Sequence, residues 1–438
     1  MLAKKSFRLF VIFTILSLLL PYSTHSAQEV YLNISKNFYN KIRIAVPYFT
    51  PKSGSKEMKT NAARASLILS NDLVLSGYFI SVKEHTFVAE TEHLDTKTGR
   101  INYAEWKRIG ADMVIKGTYS ENNSDITVQV SVYSVSDGKK IFNKLYADSL
   151  SKKRRLMHHV SNDIVKAITG EQGIALSKIT FAMESGKGRE ICSMDYDGYN
   201  IKKLTHDNSI ALYPKWSPDG TKILYTSFKN NKPQIFIIDL AKNTRKVLSS
   251  SPGLNATATF APNSTVIALT LSRDGNPEIY SKNLTTGKLK RLTHSRSIDT
   301  SPSWSPDGNN IVFVSNRSGS PQLYIMNKNG ANLRRLTFRG GYNTAPAWSP
   351  KGDLIAYSSL IGRKFQIHTI NSENGITSTI TSNKIDNEDP SWAPDGRHII
   401  YTSTKNHVPS INIVDIYDKN PIQLDKIPSN ALNPNWSQ

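Results

Sequence analysis

The chain has 438 residues, with 55 Lys+Arg against 35 Asp+Glu and a single cysteine. At 38% hydrophobic content it is neither a disordered polymer nor a multispan membrane protein, and one cysteine excludes an internal disulfide framework or a cysteine-clustered metal site. The formal charge of +20 raises the question of an acidic partner, such as nucleic acid, a membrane surface or an acidic protein.

Residues 1–26 read as an export signal. Lys4, Lys5 and Arg8 precede an apolar run from Leu9 to Leu20, Pro21 ends it, and Ser23, Thr24, Ser26 and Ala27 follow. Thr24 and Ser26 suit the positions before a cleavage ahead of Ala27. A retained anchor is the alternative, but the run is short for a span. No cysteine follows it, which excludes lipoprotein processing, so the mature protein is expected to be soluble and exported. Cleavage would leave 52 basic against 35 acidic residues, or +17.

Residues 27–170 read as an α+β module. Strands are expected at Ile42–Val46, Tyr78–Val82, Asp112–Thr118, Asp125–Tyr133 and Ile141–Tyr146. The fourth alternates Ile126, Val128, Val130 and Val132, so one of its faces is wet. Helices are expected over 59–75, where apolar residues recur at helical spacing before Gly77, over Tyr103–Ile109, and over Lys152–Ile168 before Gly170. Residues 171–178 form a linker.

From 179 to 438 the chain repeats. Trp216, Phe260, Trp304, Trp348, Trp392 and Trp436 are spaced 44 residues apart. Ser-Pro-Asp-Gly follows Trp216 and Trp304, with variants after Trp348, Trp392 and Phe260. Parallel registers run through Phe181, Tyr225, Leu269, Phe313, Tyr357 and Tyr401, through Asp195 to Asp415, and through Leu204 to Leu424. Each unit reads as four short strands, with Ser-Pro-Asp-Gly as a tight turn after the first. A period of this length with four strands predicts an all-β six-bladed propeller. The copy beginning at Ile179 lacks a preceding Trp strand, and Trp436 has no strands after it. The C-terminal strand is therefore expected to complete the first blade.

Catalytic patterns are sparse. There is no Gly-x-Ser-x-Gly, no His-Glu-x-x-His and no phosphate-cradling glycine loop. His158 and His159 are adjacent on a basic helix and read as solvated, His206 and His294 as loop residues, and Cys192 as a buried inert thiol. Glu388 and Asp389, placed in a loop before a blade strand, are the pair that a propeller hydrolase or lyase with an axial site would use. The basic residues read as solvated outward edges, and nucleic acid is not an expected partner. No cofactor or metal is expected.

The N-terminal module carries a resemblance. Ser70-Asn71-Asp72-Leu73-Val74-Leu75-Ser76-Gly77-Tyr78-Phe79, Trp106 to Asp112, and Glu29-Val30-Tyr31-Leu32-Asn33-Ile34, together with the blades, resemble the TolB family, periplasmic components of the Tol–Pal system. The resemblance implies a monomeric, non-enzymatic periplasmic adaptor acting in outer-membrane integrity and cell division. It implies TolA binding through Glu29, Val30, Tyr31, Leu32, Asn33 and Ile34. It implies binding of the lipoprotein Pal at the propeller mouth through loops before the Trp strands: Asp299, Thr300 and Ser301; Asn343 and Thr344; Asp386, Glu388 and Asp389. Other outer-membrane proteins are compatible partners. The chain departs from the family in its basicity and in Phe260 with its Ala-Pro-Asn-Ser turn.

Overall fold

A 20-residue helix, α1 (Lys56–Leu75), opens where Ser55 Oγ accepts the Met58 amide, and it is expelled into a turn at Gly77. The computed structural model describes residues 41–82, 101–428 and 430–438; residues 1–26 and Glu29–Ile34 lie outside them. β1 (Ile42–Ala45) precedes α1 with β2 (Thr50–Pro51), and β3 (Phe79–Ser81) follows it. After α2 (Tyr103–Arg108) come the long strands β4 (Met113–Asn122), β5 (Asp125–Ser134) and β6 (Lys140–Ser149), then α3 (Lys153–Thr169), which stops at the left-handed Gly170. The sheet order is β3-β1-β4-β5-β6, parallel at β1 and antiparallel from β4 onward. The alternating Ile126, Val128, Val130 and Val132 are fully buried against α1 and α3. Trp106 of α2 fills a second small core with Ala45 and Val114.

Six four-stranded antiparallel sheets follow. We number the blades from the one built on Lys178–Ser185. Its inner strand is Ala431–Trp436, paired with Lys178–Ser185, so the last strand of the chain completes the first blade. The inner strands of blades two to six are Ala211–Trp216, Asn255–Phe260, Asp299–Trp304, Asn343–Trp348 and Asp386–Trp392. Six apolar clusters are each shared by two neighbouring blades. Trp216, for instance, packs with Tyr225 and Phe236 of its own blade and Ala182 and Ile191 of blade one. The cluster between blades six and one, with Trp436, Ile179 and Ile413, is built like the others. The aromatic repeat is thus the inter-blade core.

The N-terminal domain sits on the face that carries the Ser-Pro-Asp-Gly-type turns. Arg397 and Asp415 of blade six form a buried pair at 2.6 Å, and Arg397 also donates to the Gly77 carbonyl at 2.9 Å. Gly77 has φ +79°, and a Cβ there would fall 2.6 Å from Asp415 Oδ2, so both conformation and space require glycine. Beside it, the Tyr196 hydroxyl of blade one donates to Asp72 Oδ1 at 2.6 Å, and His158 Nδ1 bonds Asp72 Oδ2 at 2.7 Å. The solvated reading of His158 is therefore corrected. It is 3% exposed, because α3 turns this face onto α1 where the two helices meet the propeller. Lys41–Asp418 and Arg154–Asp197 add cross-domain ion pairs.

Candidate functional site

An axial cavity of about 520 Å³ runs through the ring, and every blade contributes its inner strand. Its wall is made by one repeated device. Tyr213, Thr257, Ser301, Ala345, Asp389 and Asn433, again 44 residues apart, all hold left-handed backbone, with φ between 47° and 55°. At each, the pairing of inner and second strands slips register, which marks a β-bulge. None of the six is glycine, so the conformation is held against intrinsic preference by the surrounding blade. The bulge re-aims these side chains into the cavity. Sequence reasoning missed this ring. Its trace was the proline that follows five of the six residues: Pro214, Pro302, Pro346, Pro390 and Pro434.

The predicted mouth residues divide into two groups. All lie within the inner strands rather than in preceding loops, because pairing with the second strand begins at Asp299, Asn343 and Asp386. Asp299 and Asn343 are fully buried. Asp299 accepts from Arg317 of its own blade at 2.6 Å, which braces that blade, whereas Asn343 donates to Gln322 of the preceding blade at 2.8 Å and ties the two blades together. Thr300, Ser301, Thr344 and Asp389 line the cavity. Asp386 accepts from Lys364 at 2.7 Å and from the Phe365 amide, and these bonds hold its carboxyl below the usual range against the cost of burial.

Glu388 is the electrostatic centre of the mouth. Burial foremost, then the charges of Asp389 and Asp386, push its carboxyl up to about 7. Asp389 is also raised by burial, although Asn433 donates to it at 2.7 Å and Lys215 lies across the cavity. Lys215 is lowered by burial, and Tyr213 is pushed up to about 12 by burial and the two carboxylates. Exposed apolar side chains gather at this end of blades two, four and five. Ile210, Phe228, Ile298, Phe338, Tyr342 and Ile361 all sit at strand ends opposite the N-terminal domain, and Phe338 is 74% exposed.

The Glu388 shift carries a stability consequence. Its folded value lies above the ordinary glutamate value of 4.5, so between about 4.5 and 7 the folded chain binds the extra proton, and stability falls as pH rises through that window. Glu388→Gln is therefore expected to raise stability at pH 8 by roughly 1–2 kcal/mol, allowing for water at the mouth, and to change little at pH 4. Thermal melts of both proteins across that range check it; a constant difference at all pH values would contradict the burial account.

One cluster of metal-ligand type occurs among the described residues. Atoms of Asp72, His158 and Asp197 lie within 4.8 Å of one another. Tyr196 and Arg154 already engage the two carboxylates, so the group serves as a clamp between domains. Cys192 is buried, with its thiol pushed up to about 11 by burial, as an inert core residue would be. His206 and His294 are exposed in loops, as expected.

Comparison with known proteins bears on this architecture. The family model described as "TolB beta propeller domain" matches residues 165–438, and that described as "TolB amino-terminal domain" matches residues 30–141. The chain belongs to the TolB family. The Tol-Pal system protein TolB of Ruegeria sp. (strain TM1040) is 33% identical over 246 residues, covering 54% of each chain. That of Geobacter metallireducens (strain ATCC 53774 / DSM 7210 / GS-15) is 36% identical over 217 residues, covering 49% of each. The chain spans about half the length of the curated relatives it matches. The crystal structure of TolB from Acinetobacter baumannii superposes with a TM-score of 0.79 at 27% identity, covering 91% of this chain and 97% of that one. Both of these relatives are named as proteins of the Tol-Pal system. No helix among the described residues is long and apolar enough to cross a membrane.

Proposed function

We propose that the chain is a periplasmic adaptor of the Tol–Pal system that docks Pal across the propeller mouth and TolA through residues 28–38, and so supports outer-membrane integrity and constriction during division. This reading divides the chain into a cleaved signal (1–26), the N-terminal module (27–170), a linker (171–178) and the propeller (179–438). The observation that carries it is the gathering of exposed apolar side chains at the blade ends that also carry Thr300, Thr344 and Glu388, opposite the contacts made by the N-terminal domain. Apolar anchors beside a polar centre are the layout of a protein-docking surface. Thr300, Ser301, Thr344, Glu388 and Asp389 would meet the partner, while Asp299 and Asn343 hold the blades that present them. An axial enzyme would need carboxylates or histidines converging from several blades, whereas Glu388 and Asp389 share one strand.

Two arms of a pull-down test the proposal. Phe338→Asp with Thr344→Arg is expected to weaken Pal capture by roughly thirty-fold or more while TolA capture persists. Deleting residues 28–38 is expected to do the reverse. Retention of Pal by the first variant would sink the mouth assignment, and retention of TolA by the second would sink the N-terminal one.

A further inference from the structure

The outermost strands of the blades carry a charge pattern that partner docking at the mouth does not use. At one register position the ring reads Lys202, Lys246, Lys290, Arg334, Ser378 and Ile422, in blade order. Four consecutive blades are therefore cationic and the next two are bare. All four cations are exposed, and among the described residues none is in an ion pair. The outer strands that hold them, Lys202–Lys203, Thr244–Ser249, Leu289–Arg291 and Arg334–Arg335, contain no acidic residue. The side chains also reach along the wall. Lys290 Nζ reaches the Asn329 carbonyl at 3.3 Å, and Arg334 Nη2 reaches the Ser372 carbonyl at 2.6 Å, each on the following blade. These bonds aim the cations across the gaps between blades without neutralising them.

Lysine on an exposed edge strand also blocks strand-to-strand aggregation. That purpose would call for charge on all six edges. The outer strands Thr377–Thr379 and Ile422–Gln423 are exposed and carry none; beside them a single cation, Lys419 of the blade-six turn, donates to Ser378 Oγ and the Thr379 carbonyl, and the adjoining turns also carry Glu373 and the Lys41-paired Asp418. The asymmetry points to a ligand on one side of the ring. The wall is convex, so a flat bilayer would meet only one sector of it at a time, whereas a flexible chain can follow the perimeter from blade to blade.

We propose that the outer wall of blades one to four is a docking surface for a linear polyanion, a polymer with phosphate or carboxylate groups along its length. Binding is electrostatic, so it is steep in ionic strength, and it leaves the mouth free. The proposal does not depend on the Pal and TolA reading.

The probe is linear polyphosphate, with vesicles of an anionic phospholipid in a parallel arm. The purified chain is expected to bind polyphosphate at about 0.15 M salt and to lose affinity steeply above it. The variant K202Q/K246Q/K290Q/R334Q is expected to bind about ten-fold more weakly or worse. A control with the same change in net charge, K52Q/K59Q/K107Q/K139Q on exposed positions of the N-terminal domain, is expected to stay within about two-fold of the parent. Should the first variant melt early, Lys246→Gln with Lys290→Gln alone is expected to weaken binding about three-fold. Absence of binding by the parent overturns the proposal. So do equal losses in both four-residue variants, which would mean net charge alone, and so does vesicle binding at least as tight with the same residue dependence, which would mean a membrane surface.

Discussion

Replacing Arg397 by alanine is expected to cost about 3–5 kcal/mol of stability, because it leaves Asp415 buried without its counter-charge. Both side chains are nearly inaccessible, at 4% and 7% exposure, and two guanidinium nitrogens meet Asp415 Oδ2 at 2.6 and 2.8 Å. The same guanidinium donates to the Gly77 carbonyl and lies 4.2 Å from the centre of the Tyr78 ring. One side chain thus satisfies a propeller carboxylate, the end of α1 and an aromatic face in the other domain. The double variant Arg397→Met, Asp415→Leu removes both charges, so it should recover most of the loss while leaving the Gly77 carbonyl short of one donor. Equilibrium urea unfolding of the three proteins checks this. If Arg397→Ala lost less than about 1 kcal/mol, the seam would be held by shape rather than by charge.

What was legible in the chain follows from which signals repeat. Trp216 to Trp436 at a constant spacing declared the blades, their number and the joining of the last strand to the first, because inter-blade packing needs the same aromatic at the same strand end each time. The elements of the N-terminal domain were legible from periodicity to within a few residues, as with α1 and β5. The bulge ring was not, since the left-handed residue changes type from blade to blade, as from Tyr213 to Thr257 to Ser301, and only the proline after five of the six marks the position. Asp299 and Asn343 looked like loop residues open to a partner. Their burial depends on Arg317 and Gln322, which lie 18 and 21 residues away; the first faces Asp299 once its own blade folds, the second faces Asn343 only once two blades pack. His158 was misread for the same reason. Its partner Asp72 is 86 residues distant, and no local pattern announces a polar clamp between two domains.

Ring closure makes the last strand the seam on which the propeller depends. Trp436 is 1% exposed among Ile179, Phe181, Ile400, Ile411 and Ile413, and its indole N–H donates to Ser177 Oγ at 2.6 Å. Ser437 adds a backbone bond to Lys178 at 2.8 Å. Trp436→Ala should therefore cost about 3–5 kcal/mol, the range for emptying a buried tryptophan site. Trp348 offers a comparison within the same molecule. It is only partly buried against its cluster, and its indole donates to Gly352 in its own turn, so Trp348→Ala should cost about 1–3 kcal/mol. The two differ further in what opens. Blade five is continuous in the chain, whereas blade one is joined to Ala431–Trp436 only by non-covalent bonds. Loosening Trp436 should release that strand as a local unfolding event before the rest of the ring gives way. Faster proteolysis between residues 425 and 438 in Trp436→Ala, and not in Trp348→Ala, is the expected result. Equal losses and equal cleavage in both variants would show that the ring has no privileged seam.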